Sequence, residues 1–388
     1  MQPKKKDRYH IVSLPGDGIG PEVLREGLKV LTTVADLSGP KFEIEEIPCG
    51  GWYYHKYGRE WPEGSEARCD AADAMVLGAV GFQVDGKDVF TRPGEPYPTP
   101  QLAGYAQVIG NRRRLNLYAN VRPVKLYPGV KAKIHGDFLD VWKPAHVDYC
   151  IVRENTEGEY SGETHPMLDD TGKEIGKMTP IKVTRAATER VCRYAFRLAR
   201  KRKKQMKVTC VEKSNIIGAH KFFRDVFTEV AKEFADVQPD YSYFDAFCQW
   251  QMRNPEWFDV VVGPNLVGDT ISDNGSTTSG GLGFAAGGNI GDEHAMFEPI
   301  HGSAPKHAGK NKVNPCAAIL SVHMMLEWLG DRHGDERLHA GSRLVEKAVA
   351  DVMAAGKVRT YDQGGSSTTS YMGDAVAARV KEIHRAGR

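Results

Sequence analysis

Tyr9-His-Ile-Val-Ser-Leu14 runs through Gly16-Asp-Gly-Ile-Gly20 into Pro21-Glu22-Val23. The apolar run predicts a strand, the glycines a tight loop, and the proline the first turn of a helix. The rhythm recurs: Ala74–Ala79, Leu117–Val121, Tyr149–Val152, Val208–Val211 and Val260–Val262 predict strands, with helical patterns at Thr188–Lys203 and Ala219–Phe234. Such alternation predicts an α/β fold around a largely parallel sheet. The glycine loop is one residue short of the dinucleotide fingerprint, and no clear acid ends a second strand, which disfavours an ordinary Rossmann domain.

Phe82–Pro100 is rich in Gly, Pro and Asp, too long for a plain connector, and reads as a lid. Glu159–Pro180 is a second polar insertion. Gly280-Gly-Leu-Gly283 with Gly287-Gly288 predicts a flexible crossing between lobes. No internal repeat is present.

With 388 residues, 41% hydrophobic and 26% charged, the chain is long enough for two domains. A net charge of +2 supplies no global field for nucleic acid or an anionic membrane, so any anion must be captured locally. The seven cysteines contain no Cys-x-x-Cys pair and read as reduced, mostly buried thiols. Met1–His10 has no apolar h-region, and no run reaches the roughly 18 apolar residues of a span, so a cytoplasmic enzyme is the default expectation. The basic run Arg200-Lys-Arg-Lys-Lys204 ends a predicted helix, where cations complement the macrodipole. Trp52, Tyr53, Tyr54, Tyr57 and Trp61 read as packing. Gly302–Lys310 has too wide a glycine spacing for a Walker loop but retains backbone N–H groups suited to phosphate.

Asp269 and Asp273 lie four residues apart just after the Val260–Val262 strand, on one face of a helix, where two anions repel unless a cation lies between them. They offer only hard oxygen, which suits Mg²⁺ or Mn²⁺, and Asp245 is a candidate third carboxylate. Arg112, Arg122 and Arg153 sit at or next to predicted strand ends, where guanidinium groups grip carboxylates in bidentate fashion. A small polycarboxylate beside a divalent metal is implied. Lys213 and Asn215 follow the Val208–Val211 strand, and a lysine near arginines and a dication has its pKa pushed towards the range of a general base.

Leu14-Pro-Gly-Asp-Gly-Ile-Gly-Pro-Glu22, Leu117-Tyr-Ala-Asn-Val-Arg-Pro123, Val152-Arg-Glu-Asn-Thr-Glu-Gly158, Pro264-Asn-Leu-Val-Gly-Asp269 and Phe297-Glu-Pro-Ile-His-Gly-Ser-Ala-Pro305 resemble the signatures of the metal-dependent β-decarboxylating dehydrogenases, which include isocitrate, homoisocitrate, 3-isopropylmalate and tartrate/D-malate dehydrogenases. The resemblance runs nearly end to end. It implies an isopropylmalate dehydrogenase-like α/β fold of two open α/β domains, not Rossmann. Residues 1–117 with 280–388 would form the large nucleotide-binding domain, and 118–279 a small domain carrying the metal site, the dimer interface and a clasp at about 159–182.

By the same resemblance Arg112, Arg122 and Arg153 bind the malate moiety, Asp245, Asp269 and Asp273 hold the metal, Tyr160 is the general acid and Lys213 the base. Lys213 and Asp245 would enter from a neighbouring subunit, making a homodimer with shared sites the minimum active unit. Asn215, Glu298, His301, Gly302, Ser303, Ala304, Lys306, His307, Val313, Asn314 and Tyr361 are implied for the nucleotide. Lys306 stands where NAD-dependent members carry an acid, which implies NADP⁺ over NAD⁺, whereas Gly365 replaces a second phosphate-binding arginine.

Ala106 and Val108 stand where isocitrate enzymes resemble one another in carrying Ser and Asn, and Ile109 replaces the extra arginine of homoisocitrate enzymes. Val108 and Ile109 would form an apolar wall. The expected substrate is therefore a 3-alkylmalate of the 3-isopropylmalate kind, with isocitrate or homoisocitrate next and tartrate/D-malate third. A regulatory subunit of a hetero-oligomer would lack some of Tyr160, Lys213, Asp245 and Asp269, and all are present. A nucleic-acid binder would rest on residues 200–204 alone.

Overall fold

A computed structural model of the chain describes residues 4–94, 100–161 and 164–387. Ten strands form one mixed sheet: β1 (Arg8–Gly16), β2 (Lys41–Glu46), β3 (Ala74–Ala79), β4 (Ala119–Lys125), β5 (Asp148–Glu154), β6 (Lys207–Glu212), β7 (Gln238–Tyr243), β8 (Val260–Gly263), β9 (Ala286–Ile290) and β10 (Ala295–Pro299). Their spatial order is β7-β6-β8-β5-β4-β9-β10-β3-β1-β2. One end of the sheet, β10-β3-β1-β2, is parallel. So is the other, β5-β8-β6-β7. Antiparallel pairings of β4 with β5, β4 with β9 and β9 with β10 join them. The sheet is thus two α/β domains whose parallel blocks run in opposite senses. Strands from residues 1–117 and 280–388 lie on one side of the β4–β9 pairing and strands from 118–279 on the other.

The glycine loop is a packing device. Gly16 and Gly18 hold φ of +71° and +59°, and an added Cβ would lie 1.9 Å from the Ala79 carbonyl oxygen and 2.0 Å from that of Ser303. Only glycine permits both the left-handed conformation and the approach. The loop leads into α1 (Gly20–Ser38), which packs with α6 (Cys316–His333), α7 (Glu336–Ala355) and α8 (Thr369–Ala386). At the other end lie α2 (Arg185–Arg202), capped by the Thr184 side chain, and α3 (Gly218–Ala231). Between them run α4 (Phe244–Arg253) and α5 (Asn265–Ser276).

Three expectations need correcting. Gly287-Gly288 is not a flexible crossing: both glycines are buried within β9 and paired to β10, Gly288 also to β4, and a Cβ on Gly288 would lie 3.0 Å from the Phe297 ring. The strand expected at Leu117 begins at Ala119 and continues to Lys125. The Glu159–Pro180 insertion carries an antiparallel hairpin, His165–Leu168 with Glu174–Met178, that exposes Met167, Leu168, Ile175 and Met178. Residues 162 and 163 of that insertion, and 95–99 of the expected lid, lie outside the described residues.

Four residues of the basic run at the end of α2 form ion pairs, Arg200 with Asp236, Lys201 with Glu327 and Asp331, Arg202 with Asp259 and Lys204 with Asp148. Trp52 packs edge-on against Tyr53, which in turn meets Tyr57 at a tilt, and Trp61 packs on a satellite core around Leu14 and Leu77. The described cysteines are all free, and all but Cys248 are fully buried. No described helix is long and apolar enough to cross a membrane.

Candidate active site

Sheet register builds the site. Asn289 of β9 lies opposite Asn120 of β4, and Asn120 lies opposite Arg153 of β5. Residues directly opposite, and those two apart along one strand, share a face. One face of the central strands therefore carries Glu298, Asn289, Asn120, Arg122 and Arg153, whereas Ala119, Val121 and Phe297 point into the main apolar core. The polar row is wired together. Arg112 Nη2 donates to Glu298 Oε1 at 2.8 Å, Asn289 Nδ2 donates to the same oxygen at 2.8 Å, Asn120 Nδ2 donates to Asn289 Oδ1 at 2.6 Å, and Arg122 Nε donates to Asn120 Oδ1 at 2.6 Å.

The helix α5 delivers the carboxylates. A Cβ on Gly268 would lie 2.6 Å from the Arg153 Cβ, so glycine allows the helix to seat directly over that arginine. Asp269 then accepts from Arg153 Nη1 and lies 3.0 Å from Arg122 Nη1, while Asp273, one turn on, is 3.4 Å from Arg122 Nη1. Burial opposes ionisation of Asp269, but Arg153 and Arg122 outweigh it and hold the carboxyl below its usual range. At Asp273 burial wins and the pKa rises. Tyr160 donates its phenol to Asp269 Oδ2 at 2.9 Å beneath the Arg153 guanidinium, 5.1 Å from the ring centroid, and burial with the Asp269 charge pushes its pKa up. Three arginines against Glu298, Asp269 and Asp273 leave the cluster formally neutral. Arg112 Nε is buried without a partner among the described residues, a donor facing no acceptor.

Lys213 and Asp245 stand apart from this cluster as a 2.6 Å ion pair on the loop after β6 and the first turn of α4. Among the described residues no three His, Cys, Asp or Glu side chains gather as a metal site. The expected setting of Lys213 beside the arginines is therefore not found within one chain. Its backbone N–H donates to His220 Nδ1 at 3.0 Å, so that nitrogen must be unprotonated. Burial lowers the His220 pKa below its usual value. A lowered histidine pKa means the unfolded chain binds the proton more tightly, so this contribution to stability is complete above about pH 6.5 and lost as pH falls through the folded pKa. Thermal midpoints measured between pH 5 and 8 are expected to drop on the acid side, and His220→Asn to flatten part of that slope; an unchanged slope refutes the assignment.

The expected nucleotide residues gather elsewhere. A cleft of about 520 Å³ is lined by His301, Gly302, Ala304, His307, Val313, Asn314 and Tyr361, together with Gly280–Gly283 and Lys133. The His307 and Tyr361 rings lie 5.5 Å apart, and Lys312 Nζ sits 4.6 Å over the Tyr361 ring. His301 Nε2 and His307 Nδ1 are buried without partners among the described residues, placed to meet ligand hydroxyl or amine groups. Lys306 is exposed on the Pro305–His307 turn beside the cleft. Ser303 is held by the Gly81 carbonyl at 2.5 Å, Glu298 belongs to the arginine row, and Asn215 is exposed near Lys213. Ala106–Gly110 forms a π-helical turn, which shifts the expected helical register before Arg112; Val108 packs on the satellite core, and Ile109 is half-buried.

Residues 10–376 match the family model described as isocitrate/isopropylmalate dehydrogenase. The chain belongs to that family. It is 38% identical over 378 residues to the 3-isopropylmalate/3-methylmalate dehydrogenase of Methanocaldococcus jannaschii, covering 96% of this chain and 99% of the relative. Against the D-malate dehydrogenase [decarboxylating] of Escherichia coli the figures are 33% over 371 residues, 94% and 97%. The crystal structure of isocitrate dehydrogenase from Methylococcus capsulatus superposes with a TM-score of 0.80 at 33% identity, covering 96% of this chain and 99% of that one. As a member of the isocitrate/isopropylmalate dehydrogenase family the chain is an NAD(P)-dependent β-decarboxylating dehydrogenase acting on a malate-type 2-hydroxy diacid.

Within this family member, sequence reading missed Asn120, Asn289 and Asn265. Asn265 Oδ1 accepts from Arg153 Nε at 2.9 Å and Nη2 at 2.7 Å, and its own Nδ2 donates to the Glu157 carbonyl. Asparagines carry no charge and no spacing signal; the clues were the places of Asn120 and Asn265 within the quoted signatures and the apolar strand context of Asn120. The all-oxygen donors Asp269 and Asp273 fit a hard divalent cation, with one chain supplying two of the three expected carboxylates.

Proposed function

We propose that the chain is an NADP⁺-preferring dehydrogenase for a 3-alkyl-substituted malate of the 3-isopropylmalate kind, active as a homodimer with Mg²⁺ or Mn²⁺. The carrying observation is the neutral cluster of three arginines and three carboxylates. A bound dianion alone would leave it at net −2 and a dication alone at +2, so substrate and metal are expected to bind as a pair. The lobes 1–117 with 280–388 and 118–279 would close on them.

Arg112, Arg122 and Arg153 orient the two carboxylates of the diacid, the Arg112 Nε supplying an unused donor. Asp269 and Asp273 of one copy, with Asp245 of a second, would hold the ion. When bound, the divalent ion polarises the oxygen at C2 and the nicotinamide accepts the C2 hydride. Lys213 takes the proton from the C2 hydroxyl, the carboxylate on C3 leaves as CO₂, and Tyr160 returns a proton to C3. The Lys213–Asp245 pair, separate within one chain, and the exposed apolar hairpin at 165–178 support assembly across a dimer. For the substituent, the turn at Ala106–Gly110 presents no charged side chain, and relatives at 37–38% identity carry the 3-isopropylmalate name.

Nucleotide choice is testable separately. Lys306 next to the His307–Tyr361 slot favours a 2′-phosphate. Steady-state kinetics are expected to give the higher kcat/KM with NADP⁺, and Lys306→Asp to move the ratio towards NAD⁺ by about tenfold or more. A higher value with NAD⁺ in the unmodified enzyme overturns the preference.

A further inference from the structure

Lys133 belongs to none of the sequence signatures, yet it lines the cleft that holds His307 and Tyr361. It is carried on a short hairpin, Ala132–Ile134 paired with Asp137–Leu139. The two turn residues His135 and Gly136 both have positive φ, +50° and +91°, the conformation that matches strand twist in a tight two-residue hairpin. Lys133 and Phe138 are directly opposite across it, and the ammonium stands 5.5 Å from the Phe138 ring centroid.

The hairpin is fastened to the Tyr361 turn. Lys131 N–H donates to Gln363 Oε1 at 3.1 Å, Gln363 Nε2 donates to the Gly280 carbonyl at 2.9 Å, and Arg359 Nη1 donates to the Gly129 carbonyl at 2.8 Å. Phe138 packs over Gly364, whose added Cβ would lie 3.0 Å from its ring. Gly365 is closed to any side chain, because a Cβ there would lie 2.1 Å from the Arg359 carbonyl oxygen. The turn itself therefore supplies no cation at 364 or 365, and the hairpin brings one beside it. Lys133 has no carboxylate partner among the described residues, in contrast to Lys131, which lies 3.7 Å from Asp140. Asp362, the acid in the cleft, is already engaged by Asn314 Nδ2 at 3.0 Å and Thr360 Oγ1 at 2.5 Å.

We infer that Lys133 binds the 2′-phosphate of an NADP-type dinucleotide, so that the 132–139 hairpin is a determinant of nucleotide choice in addition to Lys306. This rests on the reading of the cleft as the nucleotide site. An unpaired ammonium on a rigid, pre-placed strand loses little freedom when it meets a phosphate, which favours a charge-assisted contact.

The test is calorimetric titration of the full-length protein with adenosine 2′,5′-bisphosphate and with 5′-AMP. The unmodified protein is expected to bind the bisphosphate more tightly than AMP. Lys133→Met is expected to weaken the bisphosphate by about tenfold while AMP stays within about twofold, and to lower the NADP⁺/NAD⁺ ratio of kcat/KM alike. Lys131→Met is expected to match the unmodified protein. Unchanged bisphosphate binding in Lys133→Met, or equal weakening of both ligands, overturns the role of Lys133 and leaves the cleft assignment standing. Failure of the unmodified protein to bind either ligand overturns the cleft assignment itself.

Discussion

Lys213→Met is expected to lower kcat by a factor of about 10²–10⁴ while leaving the thermal midpoint nearly unchanged, because it removes a proton acceptor and only a partly exposed ion pair. Tyr160→Phe is expected to be similarly impaired in decarboxylation. The informative experiment mixes the two. If Lys213 serves the site of a second copy, each mixed dimer contains one site with both residues intact. Random reassembly of equal amounts should then recover about a quarter of the unmodified rate, since half the dimers are mixed and each has one working site of two. Two inactive variants that stay inactive after co-unfolding and refolding would place Lys213 and Tyr160 in the same chain's site. That outcome would also remove the reason to place Asp245 with Asp269.

The second large effect is at Asp269. Among the described residues its carboxylate is the only acid that Arg153 meets, that arginine is almost fully buried, and the same group accepts from Tyr160. Asp269→Asn leaves an uncompensated buried guanidinium, which costs about 3–5 kcal/mol in unfolding free energy. Activity is expected to fall to background even at saturating Mn²⁺. Asp273→Asn makes the contrast, because among the described residues its more exposed carboxylate meets only Arg122, at 3.4 Å. Removing that longer contact, with its carboxylate half in solvent and Arg122 still paired to Asp269, costs roughly 1 kcal/mol or less. Urea unfolding is therefore expected to separate the two variants, whereas both should lose metal-dependent turnover. Equal stability of the two variants would show that Asp269 does not anchor Arg153.

The elements that sequence displays best are those whose side chains carry the period. Val260–Val262 is a buried parallel strand with a continuous apolar run, Val208–Val211 one interrupted only by Thr209, and Asp269 and Asp273 share a helix face through their spacing. Gly287 and Gly288 mislead because glycine in a strand looks like a loop, yet the Ile300 side chain and the Phe297 ring fill the space their side chains would take. Lys41–Glu46 is an edge strand written mostly in charges, which hides it. The Asn120–Asn289 step of the polar row depends on register between strands far apart in sequence, which no local pattern within either strand displays. Lys133 was illegible for the same reason: nothing near it in sequence indicates which cleft its hairpin is fastened to. The π-helical turn at Ala106–Gly110 shows the converse, a position counted in helical turns whose facing shifts once the turn widens.

Coupled assay of NADPH formation and CO₂ release tests the chemistry most directly, with 3-isopropylmalate, isocitrate, homoisocitrate, tartrate and D-malate each supplied with Mn²⁺ and again after chelation. Equimolar NADPH and CO₂, highest kcat/KM with 3-isopropylmalate, and loss of turnover on chelation that Mn²⁺ restores are the expected results. Turnover that survives chelation, or reduction of the nucleotide without CO₂, contradicts a divalent ion acting within the arginine–carboxylate cluster.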